Sequence, residues 1–295
     1  MPYQTLKKTH IMVKLIYGLA KFSNLKYGFG SKPKTLDKKK FLSNIKFFFH
    51  TFECADIYRK SIDYVKFLKD KDVHFKIYKL PIKKSEKTIE NYFRNKIKYY
   101  NKNHSTKKIK VLYLHENSLR IINNYKVLNV LKKLKKDKVV KNFGVSIYSE
   151  NELKFAINNN LYRYIQIPLN LADSYLFFEY KKKMRKKRIV ARSLVLQGAL
   201  LNPVVKKNFQ NQIKKYKEKI DNICNNYHIS REELVYRFLF SLNRLDYAMI
   251  GSVNLKNIKN IIRFKKKRRL SNRIMKQLIY LSKQKKRWVN PRSWV

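Results

Sequence analysis

Apolar and polar positions alternate between two periods along almost the whole chain. Short apolar runs are followed by longer segments whose apolar residues recur at helical spacing. Residues 13–18, the Phe47-Phe48-Phe49 run, and residues 75–80, 108–114, 140–147, 164–169, 189–196 and 246–250 read as strands. Residues 36–45, 56–68, 88–99, 119–134, 173–184, 205–224, 230–242 and 269–283 read as helices, with further ones opening at Ser149 and Leu255. Ser149 with Glu152, and Ser230 with Glu233, stand at capping-box spacing. Unbroken runs such as Phe47-Phe48-Phe49 are what a strand buried on both faces requires.

Strand and helix in strict alternation, with no linker and no short repeat, predict an α/β fold, a single (β/α)8 TIM barrel spanning residues 1–295. A C-terminal helix and tail occupy about 269–295. In such a barrel chemistry gathers at the carboxyl ends of the strands. The stretch from Phe47 to Ser61 is the first place to look, because Glu53, Asp56 and Tyr58 follow an apolar run. The chain holds 21 tyrosines, so Tyr58 alone carries little weight.

Composition changes this picture in two ways. Cys54 and Cys224 are too few for a disulfide framework and suit a reducing, cytoplasmic setting. Neither has a Cys or His at metal spacing, so no zinc site is expected. The apolar patch at 11–20 is short and broken by Lys14, so no signal peptide or membrane span is expected. The formal net charge of +51 raises the question of a polyanion partner. Lysines run from Lys7 to Lys286 rather than in one tail, with denser runs at 38–40, 181–188 and 265–269. That spread favours compositional charge, with nonspecific attraction to polyanions at low salt and no specific nucleic-acid partner.

The strand ends also resemble a known family, the aldo/keto reductases, over the full length. Leu15-Ile16-Tyr17-Gly18-Leu19-Ala20-Lys21-Phe22 with Tyr27-Gly28, Glu53-Cys54-Ala55-Asp56-Ile57-Tyr58 and Lys76-Ile77-Tyr78-Lys79-Leu80-Pro81 carry the first part. Leu112-Tyr113-Leu114-His115, Gly144-Val145-Ser146-Ile147-Tyr148-Ser149 and Gln166-Ile167-Pro168-Leu169-Asn170-Leu171 follow. Ala191-Arg192-Ser193-Leu194-Val195-Leu196-Gln197-Gly198, Ile250-Gly251-Ser252, Pro291 and Trp294 complete it. The likeness is to bacterial members found among surface-carbohydrate genes.

The resemblance implies a catalytic tetrad of Glu53, Tyr58, Lys79 and His115. A phenol is a poor acid at neutral pH, and a nearby buried lysine, held charged by a carboxylate, would make it a better one. A histidine could polarise the substrate carbonyl. Ser146 and Gln166 are implied for the nicotinamide carboxamide, Ser193 and Leu194 for the pyrophosphate, and Gly251, Ser252 and Lys256 for the adenosine end. Three departures stand out: Glu53 for the family's aspartate, Arg59 for the glycine after the tyrosine, and Ile147 for an asparagine that contacts the nicotinamide. Gly251 and Asn257 stand where many members place a lysine and an arginine for the 2′-phosphate.

The expected function is NADPH-dependent reduction of a small-molecule aldehyde or ketone, a sugar derivative among the candidates, with NADH as the alternative cofactor. Two other readings stand beside it. One is a weakly active or inactive barrel serving as a cofactor sensor or binding subunit, which Glu53 and Arg59 favour. The other is a polyanion-binding protein, which rests on charge alone. The sequence is silent on oligomeric state.

Overall fold

The computed structural model describes residues 12–23, 35–105, 109–115, 118–203 and 208–290, apart from the side chains of Arg59 and Lys60. Tyr27, Gly28, Pro291 and Trp294 lie outside the described residues. Eight parallel strands close into a barrel in sequence order. They are β1 (Lys14–Gly18), β2 (Thr51–Ala55), β3 (Asp72–Ile77), β4 (Ile109–Leu114), β5 (Val140–Ser146), β6 (Tyr162–Pro168), β7 (Arg188–Arg192) and β8 (Tyr247–Ile250). Closure is made by β1 pairing with β8, Leu15 opposite Ala248. The (β/α)8 expectation therefore holds.

The elements form where local chemistry permits. Ser149 caps the helix Glu150–Asn158 with both bonds of a capping box. Asn124 caps Tyr125–Lys136 and divides the helix expected at 119–134 into two. The segment 56–68, read as one helix, is a turn of helix at Arg59–Ile62 and a 3-10 turn at Val65–Leu68. Its apolar residues Ile62, Val65 and Leu68 are buried, so the spacing marked the inward face correctly without requiring an unbroken helix.

One strand starts later than its apolar run suggests. Phe47 and Phe48 lie in the turn before β2 at 81% and 37% exposure, and only Phe49 is buried. The strand itself is Thr51–Ala55, buried throughout, with Phe52 and Cys54 on one face and Glu53 on the other.

Inside the barrel, Ile16, Val111, Tyr113, Tyr164 and Val190 form a separate buried cluster, with Tyr247 and Met249 against it. His74 sits among these rings, with Tyr164 at 5.5 Å and Tyr113 at 5.8 Å between centroids. Tyr113 fits because residue 144 is glycine: a Cβ there would fall 2.4 Å from the Tyr113 ring. This aromatic layer fills the barrel interior below the strands' carboxyl ends.

Candidate functional site

A cavity of about 960 Å³ lies at that end. Its walls come from the ends of β1, β2, β3, β5, β7 and β8 and the loops that follow them. Glu53, Lys76, Tyr58 and His115 all line it.

Glu53 points into the barrel because it alternates with Phe52 and Cys54, which pack outward. Lys76 enters from β3, and its Nζ lies 2.8 Å from Glu53 Oε1. Both side chains are at most 5% exposed. The other carboxylate oxygen accepts a hydrogen bond from Gln166 Nε2 on β6. A buried carboxylate is tolerated only when it is paired and hydrogen-bonded, and here both conditions are met.

Tyr58 begins the turn after β2, its backbone N–H bonded to the Ala55 carbonyl at 2.9 Å. Its ring meets His115 edge-on at 6.1 Å between centroids. His115 is fixed by its own N–H, which donates to the Ile77 carbonyl at 2.9 Å. Asp56, the third polar residue of this stretch, serves the scaffold. It accepts from the Tyr78 N–H at 3.0 Å and pairs with Lys96 at 3.1 Å, which ties the end of β2 to that of β3.

Lys79 is not brought to this group. It stands exposed past the end of β3 with φ 55°, its ammonium 5.9 Å from the Tyr78 ring centroid, and it is not among the residues lining the cavity. The lysine beside Glu53 is Lys76. The strand runs Asp72–Ile77, ending before residue 79, and residues 74 and 76 share the inward face with the Glu53 side chain.

Ser146, Ser193, Leu194, Gly251 and Ser252 all line the cavity. Ser193 and Gln197 have positive φ, 58° and 56°, so the chain after β7 turns tightly against the cavity. The Ser193 carbonyl is held by Asn170 Nδ2 at 3.1 Å. A Cβ on Gly251 would meet nothing nearer than the Gly18 carbonyl oxygen at 3.9 Å, so the glycine leaves open space there. Tyr17 Oη donates to the Ser252 carbonyl at 2.8 Å and pins this loop to β1.

Two other expected residues sit elsewhere. Gln166 is fully buried against Glu53 and does not line the cavity. Lys256 is exposed, and its neighbours Leu255 and Asn257 reach the wall instead. Its backbone N–H is capped by Asn254 Oδ1 at 2.9 Å.

Arg192 also belongs to this site, a residue that sequence reasoning does not single out. It is buried on β7, lines the cavity, and donates through Nε to Ser146 Oγ at 3.1 Å and through Nη2 to the Ile147 carbonyl at 2.8 Å. Its guanidinium carbon lies 3.8 Å from the Tyr148 ring centroid. A lone arginine at a strand end in so basic a chain gives no signal by itself. Among the described residues, no group of three or more His, Cys, Asp or Glu could hold a metal ion. None of their helices is long and apolar enough to cross a membrane.

Comparison with solved structures finds the same barrel. An aldo-keto reductase from Bacillus halodurans in its holo form superposes with a TM-score of 0.73 at 14% identity, covering 92% of each chain. An aldo/keto reductase from Klebsiella pneumoniae in complex with NADP and acetate gives 0.69 at 12% identity, covering 94% of this chain and 97% of that one. At such identities the likeness shows the fold alone. No curated protein sequence matches the chain. Residues 14–281 match the aldo/keto reductase family model. With that match over most of its length, the chain belongs to the aldo/keto reductase family, a family of oxidoreductases.

Proposed function

We propose that this protein reduces an aldehyde or ketone with NADPH, with NADH as the alternative. The observation that carries the reading is that Tyr58, His115 and the Glu53–Lys76 pair all line one cavity at the strands' carboxyl ends.

The cavity suits a dinucleotide. It extends from Glu53 and Lys76 on β2 and β3, past Gly18 and Lys21 after β1, to Gly251–Asn257 beyond β8. Lys21, Lys40 and Arg192 place positive charge along it, as a pyrophosphate requires. Ser146, Ser193, Leu194, Gly251 and Ser252 would hold the cofactor. Ser146 Oγ accepts from Arg192 and keeps its own proton to donate to a carboxamide. Gln166 spends its side-chain N–H on Glu53 instead. When bound, the nicotinamide supplies the hydride.

The chain's own residues supply the rest. Glu53 pairs with Lys76 and fixes its position, and a positive charge near the reacting centre favours the phenolate left when Tyr58 gives up its proton. Tyr58 donates this proton to the carbonyl oxygen of the substrate. His115 orients and polarises that oxygen by a hydrogen bond. Lys76 takes the part first given to Lys79.

The test is a fluorescence titration of the purified protein with NADPH and NADH at near-physiological salt, with ATP as the control for charge attraction, followed by turnover on a carbonyl panel. Saturable NADPH binding that ATP does not mimic, with turnover, supports the proposal. NADPH binding without turnover favours the sensor reading. NADPH binding no tighter than ATP overturns the cofactor assignment.

A further inference from the structure

Arg192 is the last residue of β7, and Ser146 is the last of β5. Strand β6 stands between them in the register, Gln166 opposite Ser146 and Pro168 opposite Arg192. The Arg192 side chain therefore reaches past the end of β6 to the segment after β5. Three successive residues hold it there. Ser146 Oγ accepts from Nε at 3.1 Å, the Ile147 carbonyl accepts from Nη2 at 2.8 Å, and the Tyr148 ring centroid lies 3.8 Å from the guanidinium carbon. A hydroxyl, a carbonyl and an aromatic face orient a guanidinium without cancelling its charge. Arginine keeps that charge across the working range of pH. The side chain is buried, so water screens it little.

The neighbouring charges leave a positive excess. Glu53 faces Lys76 at 2.8 Å, and the two offset each other. Asp173 lies in the field of both Lys286 and Arg192: burial pushes its carboxyl up to about 6, while those two cations pull it down. Lys286 is fixed in turn by the Ala172 and Leu281 carbonyls, at 3.1 and 2.7 Å. Two cations around one carboxylate leave one positive charge over, and of the two Arg192 is the one that lines the cavity.

We propose that Arg192 sets which redox form of the cofactor the site prefers, favouring NADPH over NADP+. The inference rests on the function proposed above, in which the Ser146 hydroxyl takes the nicotinamide carboxamide. NADPH carries a neutral dihydronicotinamide ring. When it gives a hydride to the carbonyl carbon, two electrons leave with that hydride and the ring becomes a cation. The proton on the carbonyl oxygen comes from Tyr58. The ring thus gains its positive charge at the end of the cavity where Arg192 already holds one. Like charges at a buried wall repel, so the oxidised form is the weaker ligand. The hydride step loses some driving force, and the oxidised cofactor is held more loosely afterwards.

The test measures dissociation constants of the full chain for NADPH, by its fluorescence, and for NADP+, by displacement, at about 0.15 M salt. Wild type should bind NADPH at least about tenfold tighter than NADP+, which for a two-electron couple is about 30 mV. Arg192→Gln removes the charge and keeps a donor for Ser146, and the preference should fall at least about fivefold. Arg192→Lys restores a cation and should stay within about twofold of wild type. Asp173→Asn removes a nearby negative charge and should raise the preference at least about twofold. That variant leaves Arg192 in place and decides the matter should Arg192→Gln not fold. Equal affinities for the two forms in the wild type, or an unchanged ratio in Arg192→Gln and Asp173→Asn, overturn the proposal. Equal weakening of both forms in Arg192→Gln assigns the residue to the pyrophosphate or the scaffold and overturns it too. Wild type that binds NADPH no tighter than ATP overturns the function proposed above, and this inference with it.

Discussion

Lys76 Nζ stands 2.8 Å from Glu53 Oε1 inside the barrel, while Lys79, three residues on, faces solvent. These two lysines make opposite predictions. Lys76→Met leaves a buried carboxylate without its cation and should cost roughly 3–5 kcal/mol in urea unfolding. Lys79→Met should stay within about 0.5 kcal/mol, as a surface change does. If carbonyl reduction is observed, kcat/KM should fall at least about a hundredfold in the first variant and within about threefold in the second. Equal losses would reject the assignment to Lys76.

Tyr58→Phe removes a proton donor and little else. Carbonyl reduction should be lost while NADPH affinity, read by fluorescence, stays within about threefold. A rate equal to wild type would take Tyr58 out of the mechanism.

Gln166 makes the Glu53 carboxylate two-sided. The extra methylene of glutamate over aspartate extends the side chain by about 1.5 Å, and the distal oxygen meets the Gln166 amide. Gln166→Leu leaves that oxygen unsatisfied and should destabilise by about 1–3 kcal/mol. Glu53→Gln alone leaves Lys76 as a buried cation without its carboxylate and should cost more, and in the double variant Gln166→Leu/Glu53→Gln the total should fall short of the sum of the two single losses, since the bond they share is lost only once. Strict additivity in this cycle would mean the two residues do not interact.

His74 gives the fold a pH dependence with a definite sign. Burial among the barrel's tyrosines pushes its pKa down to about 3, against the attraction of Asp72 and with help from Lys110 and Lys76. The unfolded chain takes up a proton near the ordinary value of 6.5, and the folded chain does not until about 3. The stability held above 6.5 is therefore lost as pH falls through that window, by up to about 1.4 kcal/mol per pH unit. Urea midpoints for His74→Leu should fall less steeply than wild type between these limits. Parallel curves would show that His74 protonates in the folded barrel.

Strand order, the number of barrel units and the position of most helices were legible in sequence, because alternating periods reflect which faces must leave water. The family match was legible too, because motifs such as Gly144-Val145-Ser146 keep their spacing at strand ends. Register was not. Phe47 to Phe49 carry the strongest apolar signal in their region, yet the strand starts at Thr51 and two of those rings face solvent. Apolarity says that a side chain can be buried, and only packing against neighbouring helices says which one is.

The same limit governs the site. Sequence placed Glu53, Tyr58 and His115 at one end of the barrel, where local strand and turn chemistry puts them. The resemblance pointed to Lys79, and the structure puts Lys76 beside Glu53 instead, because only a residue on the strand's inward face reaches that carboxylate. Nor could sequence send Gln166 to Glu53, a contact across 113 residues that depends on barrel closure.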